Sequence, residues 1–164
     1  MATPKQLIDA DSANEELQMF LFHLADNQEG FIERLRTEGY SLDYSLTSLS
    51  ELERYIQDKG EQIAWRNTSD DAGMLRLPVW SYLGETFRKV FGGGWNVSLE
   101  DPASINYGKW VISGFDNKGM EFDPLRTMQG YLLRGQPGSL RRSLEVHIQF
   151  VPTDLSDLAE DDAE

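Results

Sequence analysis

The chain has 164 residues, 40% of them hydrophobic and 11% aromatic, which suits one globular domain and is short for two. It contains no cysteine, which excludes disulfides, thiolate nucleophiles and cysteine-based zinc sites. With only two histidines, a histidine-rich metal site is also poorly supplied. Fifteen basic residues against 28 acidic ones give a net charge of −13, which disfavours binding to nucleic acid or to an anionic membrane surface.

The two ends of the chain suggest where the folded part begins and ends. Residues 1–11 lack a basic segment followed by an apolar one, so we expect a flexible lead-in and not a signal peptide. Residues 12–152 form the single expected domain. Residues 153–164 contain six acids and no base, which predicts a solvated acidic tail, although Leu155 and Leu158 would also let it dock as one amphipathic turn. No apolar run approaches the roughly 20 residues that span a bilayer, so we expect a soluble, cytoplasmic protein.

The first predicted helix follows the lead-in. Ser12 and Glu15 match a capping box, in which each side chain satisfies a free amide at a helix start, and apolar residues at helical spacing follow. Gly30 weakens this pattern by up to about 1 kcal/mol relative to alanine. The segment is therefore either one long helix or two short ones, and Gly39 is its expected end.

Two further helices are predicted before residue 95. Ser48 and Glu51 match a second capping box, and the helix that they begin should end at Gly60. Residues 67–73 are polar and indicate a loop. Pro78 is then expected to open the third helix, because proline is favoured in a first turn.

Three consecutive glycines, at positions 92–94, should end the third helix. They do not match a phosphate-binding loop, which needs glycines before a helix, so that the helix amides face the anion. Here the glycines follow a helix and lead into a strand. We therefore expect a helix end and a tight entry into the sheet.

Hydrophobic periodicity changes from helical spacing to alternation after the glycines. Residues 95–99 and 106–115 predict two strands, and residues 116–119 predict a hairpin turn into a short third strand at residues 120–122. The residues expected on the buried face of this sheet are Trp95, Val97, Trp110, Ile112 and Phe122. Tryptophans recur every 15 residues, at positions 65, 80, 95 and 110, but their surroundings differ, so we interpret the spacing as coincidence and not as a repeat.

The last part of the chain predicts one or two more helices. Asp123 and Pro124 are a favourable N-cap and first residue, and Gly135 is the expected end of that helix. Residues 139–151 fit both an alternating strand and a helix, and we favour the helix. The sequence as a whole predicts an α+β domain in which helices flank a small three-stranded antiparallel sheet.

No arrangement of side chains indicates catalysis. Acidic pairs can be drawn from Glu85, Glu121 and Asp123, but a chain with 28 acids contains such pairs by chance. A nucleophile elbow is absent from the sequence, and both His23 and His147 are expected to be satisfied or solvated. We therefore predict no catalytic residue, no metal and no cofactor, and we expect a protein that is not an enzyme.

Two segments, residues 42–56 and residues 82–95, are more distinctive than the rest. In the second segment, Gly84 should let another element approach the helix closely, and Glu85 and Arg88 are spaced to form an ion pair. Together the segments resemble a family of small bacterial proteins of uncharacterised domain type. The shared patterns are L-D-Y-S-x-x-S-L and Y-L-G-E-x-x-R-K-x-x-G-G-x-W.

This resemblance covers roughly residues 40–150 and extends to the aspartate–proline helix start near residue 123. Members of the family occur beside secreted bacterial toxins, so the resemblance implies an immunity (antitoxin-type) role without implying a catalytic activity. The polar insertion at residues 67–73 and the acidic tail depart from the pattern of the family. Both could serve a partner that is particular to this chain.

We therefore expect a protein that binds and occludes a cognate toxin domain, which should be basic because the chain itself is acidic. The expected contacts combine loop acids with nearby aromatic side chains, the residue types that dominate many interfaces. They are Trp65, Asp70, Asp71, Glu100, Asp101, Tyr107 and Asp116. The alternative is a housekeeping or regulatory module that binds another protein without catalysis.

Overall fold

The order of elements agrees with an α+β fold in a computed structural model, which describes residues 7–149. The elements are α1 (Ala10–Thr37), α2 (Leu49–Lys59), a 3-10 turn (Gly60–Gln62), α3 (Asp70–Phe91), β1 (Gly94–Val97), β2 (Trp110–Ser113), α4 (Pro124–Arg134) and α5 (Ser139–Gln149). The predicted acidic tail and residues 1–6 of the predicted lead-in lie outside the described residues. Among the residues described, no helix has both the length and the apolar character that crossing a membrane requires.

Helix α1 is a single helix of 28 residues, so the two-helix alternative is wrong. Its N-cap is Asp9, whose carboxylate accepts hydrogen bonds from the Asp11 amide at 3.2 Å and from the Ser12 hydroxyl at 2.8 Å. The capping box predicted at Ser12 therefore does not form, because an earlier side chain already satisfies the first turn. Gly30 lies in open space on the helix surface and does not interrupt the helix.

Helix α2 begins after Ser48 and ends at Gly60, as the sequence predicts. The second capping box is nevertheless wrong, because the Ser48 hydroxyl bonds to no amide of the first turn. It donates instead to the carbonyl of Ser45 at 2.7 Å and lies 2.6 Å from the hydroxyl of Tyr82. A contact between distant segments has replaced the local cap.

Helix α3 begins at Asp70, eight residues before Pro78, which corrects both the predicted loop and the predicted helix start. Ser69 caps the helix by accepting a hydrogen bond from the amide of Ala72 at 3.2 Å, and Asp70 and Asp71 lie in the first turn, where acids are favourable. Pro78 is thus inside the helix, where it removes the donor for the carbonyl four residues earlier. That carbonyl belongs to Met74, which is an exposed residue.

The sheet of the described residues has two antiparallel strands, β1 and β2, and the predicted third strand is reduced to a single bridge between Ile112 and Phe122. The Asp116 carboxylate accepts hydrogen bonds from the amides of Lys118 and Met120, both at 3.2 Å. The amide of Met120 is therefore used within the turn. Helix α4 starts soon afterwards, so residues 120–122 have too few free backbone amides and carbonyls to pair with β2 as a full strand.

The predicted second strand is also shorter than expected, because residues 104–109 form turns. The amide of Tyr107 donates to the carbonyl of Ser104 and that of Lys109 to the carbonyl of Asn106. Pairing between β1 and β2 places Trp95 opposite Ile112 and Val97 opposite Trp110, so the predicted sheet face is confirmed. Its two tryptophans, however, are half-buried, whereas the three other members of that face are buried.

The remaining helices behave largely as predicted. Asp123 caps α4 by accepting a hydrogen bond from the amide of Arg126 at 3.1 Å, and Gly135 ends the helix in the left-handed conformation. Residues 139–149 are helical, which confirms the favoured reading of that segment. Met128 and Tyr131 are buried on the inner side of α4, whereas Leu125 is 39% exposed.

One buried cluster draws side chains from all five helices and from β2. Beside this cluster, the ring of Phe20 in α1 contacts three of the four evenly spaced tryptophans. Its ring centroid lies 5.4 Å from that of Trp80, 5.2 Å from that of Trp95 and 4.7 Å from that of Trp110. These aromatic contacts hold α1 against α3 and the sheet.

Candidate functional site

The predicted contact residues fall into two groups on separate segments. Asp70 and Asp71 are exposed in the first turn of α3, and neither forms an ion pair among the described residues. Trp65 precedes them and is half-buried, with the guanidinium of Arg76 5.3 Å from its ring centroid. Arg76 also donates to the carbonyl of Ile63 at 3.1 Å, so Trp65 belongs to a well-connected corner of the fold.

The second group lies between β1 and α4, and three of its four members form hydrogen bonds within the fold. Glu100 and Asp101 are exposed, and the Asp101 carboxylate accepts a hydrogen bond from the amide of Ala103 at 2.9 Å. The Tyr107 hydroxyl accepts a hydrogen bond from the amide of Ile8 at 3.0 Å, which ties the start of the chain to this loop. Asp116 organises the turn described above. Glu100 and Asp101 are thus the members of this group that are available to a partner.

The two distinctive segments meet in space, which the sequence did not reveal. The rings of Tyr44 and Tyr82 stack with centroids 5.0 Å apart, and the Tyr82 hydroxyl accepts a hydrogen bond from the amide of Tyr44 at 2.8 Å. The same hydroxyl bonds to Ser48, so one buried tyrosine ties down the whole turn before α2. Tyr44 has a φ of 64°, a left-handed backbone conformation that residues other than glycine rarely adopt. Tertiary contacts hold that conformation.

Glu85 joins α3 to the sheet. Its carboxylate accepts hydrogen bonds from the Arg88 guanidinium at 2.8 Å and 3.0 Å and from the Trp95 indole at 2.8 Å. Burial acts to raise the pKa of Glu85, but these donors and the nearby cations outweigh it and lower the pKa below its ordinary value. The predicted Glu85–Arg88 pair is confirmed, and the indole is an additional partner.

Gly84 lies beneath the same indole. A Cβ atom on Gly84 would come closer than 3.0 Å to the Trp95 ring, a separation that real Cβ atoms essentially never show. The predicted close approach is therefore confirmed, although the approaching group is a side chain and not a backbone segment.

A cleft of about 700 Å³ lies between α1 and the part of the molecule that holds Tyr44 and Glu85. Four acids and one base line it, together with Tyr44: the charged residues are Asp26, Glu29, Glu33, Glu85 and Lys89. The Lys89 ammonium lies 4.9 Å from the centroid of the Tyr44 ring. Burial, with smaller contributions from Glu85 and Tyr82, raises the pKa of the Tyr44 hydroxyl to about 12, so this group stays protonated at neutral pH.

A second groove, of about 590 Å³, lies between α4 and α5. His147 lines it, with Nδ1 2.8 Å from the carbonyl of Ser143 and its ring edge against Phe122 at a centroid distance of 5.2 Å. This histidine is held by structural contacts, as the sequence suggests. Between residues 7 and 149, no cluster of three or more potential ligands is arranged to hold a metal ion.

Comparison with known proteins gives no match to a protein-family model, to a curated protein or to a solved structure. The resemblance of the two segments to a toxin-associated family therefore stays a prediction.

Proposed function

We propose that this chain is a cytoplasmic immunity protein that binds a cognate bacterial toxin domain and occludes it. The observation that supports the proposal is the large excess of unpaired acid. Residues 7–149 contain 22 acids, of which six take part in ion pairs, so 16 have no cationic side chain within 4 Å among the described residues. A toxin that acts on nucleic acid needs a basic active site to bind phosphate, and an acidic surface is complementary to it.

Occlusion needs no chemistry from the immunity protein. The summed negative field of the immunity protein raises the rate of encounter with a basic toxin surface. Close packing of the two proteins then keeps the substrate of the toxin out of its active site. The exposed acids Asp70, Asp71 and Asp101 carry no ion pair, so they add to that field at the surface of the described structure. Charges at the rim of an interface chiefly affect association, whereas buried anchors chiefly affect dissociation.

The test measures binding to the protein encoded by the neighbouring gene, by stopped flow or surface plasmon resonance. We expect the association rate to fall by about tenfold or more between low and physiological salt, because salt screens charges beyond about 8 Å. Replacing Asp70, Asp71 and Asp101 by asparagine should lower the association rate more than it raises the dissociation rate. Asparagine keeps the hydrogen-bond acceptor that the loop uses at Asp101.

A matched control removes the same number of charges from acids that already have an arginine partner. Its substitutions are Glu51→Gln, Glu61→Gln and Glu145→Gln. We expect a smaller effect on association from this control. A tight complex whose association rate ignores salt and both variants would contradict the electrostatic mechanism. No binding to the neighbouring gene product would contradict the immunity role and favour a housekeeping or regulatory binding module.

A further inference from the structure

The first 24 residues of α1, residues 10–33, contain six acids and neither lysine nor arginine. The acids are Asp11, Glu15, Glu16, Asp26, Glu29 and Glu33. Within the described chain, only Glu33 of this set forms an ion pair, with Arg36 at 2.5 Å. Like charges three or four residues apart destabilise a helix, and Asp26, Glu29 and Glu33 have this spacing. This charge pattern therefore does not stabilise α1 by itself.

Two large apolar side chains stand among these acids. Met19 is 62% exposed and Phe22 is 79% exposed, and residues three apart on a helix are neighbours on its surface. The core-facing side of α1 is supplied by other residues, such as Leu17 and Leu24, which are buried. Met19 and Phe22 are thus not needed to hold α1 to the fold. Phenylalanine and methionine are among the residue types enriched at protein–protein interfaces, and here the two together form a small exposed apolar patch.

We propose that this acidic face, defined by Glu15, Glu16, Met19, Phe22, Asp26 and Glu29, docks a partner protein whose surface has an apolar pocket bordered by lysine and arginine. The proposal rests on the proposed function, since the partner would be the toxin domain. Phe22 and Met19 fill the pocket, and the acids pair with its border. The adjoining cleft, which Asp26 and Glu29 also line, has room for a cationic side chain of the partner.

Charge selects this occupant over others. A second copy would bring the same acids face to face, and a net charge of −13 makes self-association unfavourable. The tail at residues 153–164 has six acids and no base, and it would be repelled by this face as well. An anionic membrane surface would be repelled for the same reason. A basic protein surface is what remains complementary to the acidic face.

The experiment compares two double variants of the full chain. Met19→Ser with Phe22→Ser changes the acidic face. Ile105→Ser with Leu133→Ser is the matched control, because both of those residues are 63% exposed outside α1. We expect the first variant to weaken binding to the neighbouring gene product at least about tenfold, mainly through faster dissociation, and the control to change it less than about twofold. Circular dichroism checks that both variants are folded.

A second arm makes the outcome independent of the toxin assignment. The probe is a synthetic amphipathic peptide of leucine and lysine, titrated into the isotope-labelled protein and followed by NMR. Shifts around Met19 and Phe22 that the first variant abolishes would support the acidic face, even if the neighbouring gene product does not bind. Shifts elsewhere, or shifts unaffected by the variant, would overturn it.

The remaining outcomes also decide the proposal. If the neighbouring gene product binds both variants as tightly as it binds the original protein, the acidic face is not the interface, while the immunity role stands. If sedimentation shows a dimer that the Met19 and Phe22 substitutions dissociate, the face serves self-association. That result would overturn the proposed partner.

Discussion

Replacing Gly84 by alanine should destabilise the protein, although alanine is the better helix former by about 1 kcal/mol. The new Cβ would lie closer than 3.0 Å to the Trp95 ring, whereas carbon atoms pack best at about 3.5–4.0 Å. The indole would have to move by roughly 1 Å, which would strain its hydrogen bond to Glu85 and its contact with Phe20. Overpacking of this kind costs about 1–3 kcal/mol, so we expect a net loss of about 0–2 kcal/mol.

Gly30→Ala is the matched control, because Gly30 is also inside a helix but has nothing within 4 Å of an added Cβ. It should stabilise the protein by about 0.5–1 kcal/mol. Urea unfolding followed by circular dichroism gives both free energies. The free energies of unfolding of the two variants should therefore differ by about 0.5–3 kcal/mol, with Gly84→Ala the less stable.

A double-mutant cycle tests the cause. With Trp95 replaced by leucine, the obstacle is gone, and Gly84→Ala should become as favourable as Gly30→Ala. If Gly84→Ala stabilises the original protein as much as Gly30→Ala does, the packing of the indole on α3 is not what the structure indicates. A loss of stability that persists without Trp95 would also refute the argument.

Three other predictions concern buried carboxyl groups. The pKa of Glu85 is lowered in the folded protein. Ionised Glu85 should therefore stabilise the fold above the ordinary glutamate pKa, and this stabilisation should be lost as the pH falls through the lowered value. Glu85→Gln should flatten the acid side of a plot of urea midpoint against pH. Burial raises the pKa of Glu53, so the protein should lose stability as the pH rises through the raised value. Glu53→Gln should remove this loss of stability. Asp123→Ala should cost about 0.5–2 kcal/mol in thermal unfolding because it removes the N-cap of α4, whereas Asp123→Asn should retain most of that stability.

The sequence predicted those features that depend on neighbouring residues. The Asp123 cap, the helix end at Gly135 and the Glu85–Arg88 pair each involve groups within a few positions, so the local pattern was sufficient. The wrong predictions concern groups that form a hydrogen bond with a distant or unexpected partner. Ser48 bonds to Tyr82 and so does not cap its own helix, and Asp116 takes the amide that the predicted third strand would have used.

The candidate surfaces were predicted less well than the fold. Loop acids such as Asp101 are easy to identify because turns are polar, but their exposure says little about which of them a partner contacts. Hydrophobic periodicity predicts the apolar stripe of α1 that faces the core but not the acidic face. Met19 and Phe22 lie off that stripe, and a helical projection of α1 with its charges would have shown both features.

The gathering of Trp80, Trp95 and Trp110 around Phe20 gives the protein a built-in optical reporter. The ring centroid of Trp80 lies 6.2 Å from those of both other indoles, which is close enough for their excited states to couple. Near-ultraviolet circular dichroism and fluorescence should therefore report when α1 leaves the sheet. Trp65 lies apart, against Arg76, and reports on the corner before α3. One molecule thus carries separate signals for two regions, and a change around Phe20 that precedes the change at Trp65 would show that α1 detaches first.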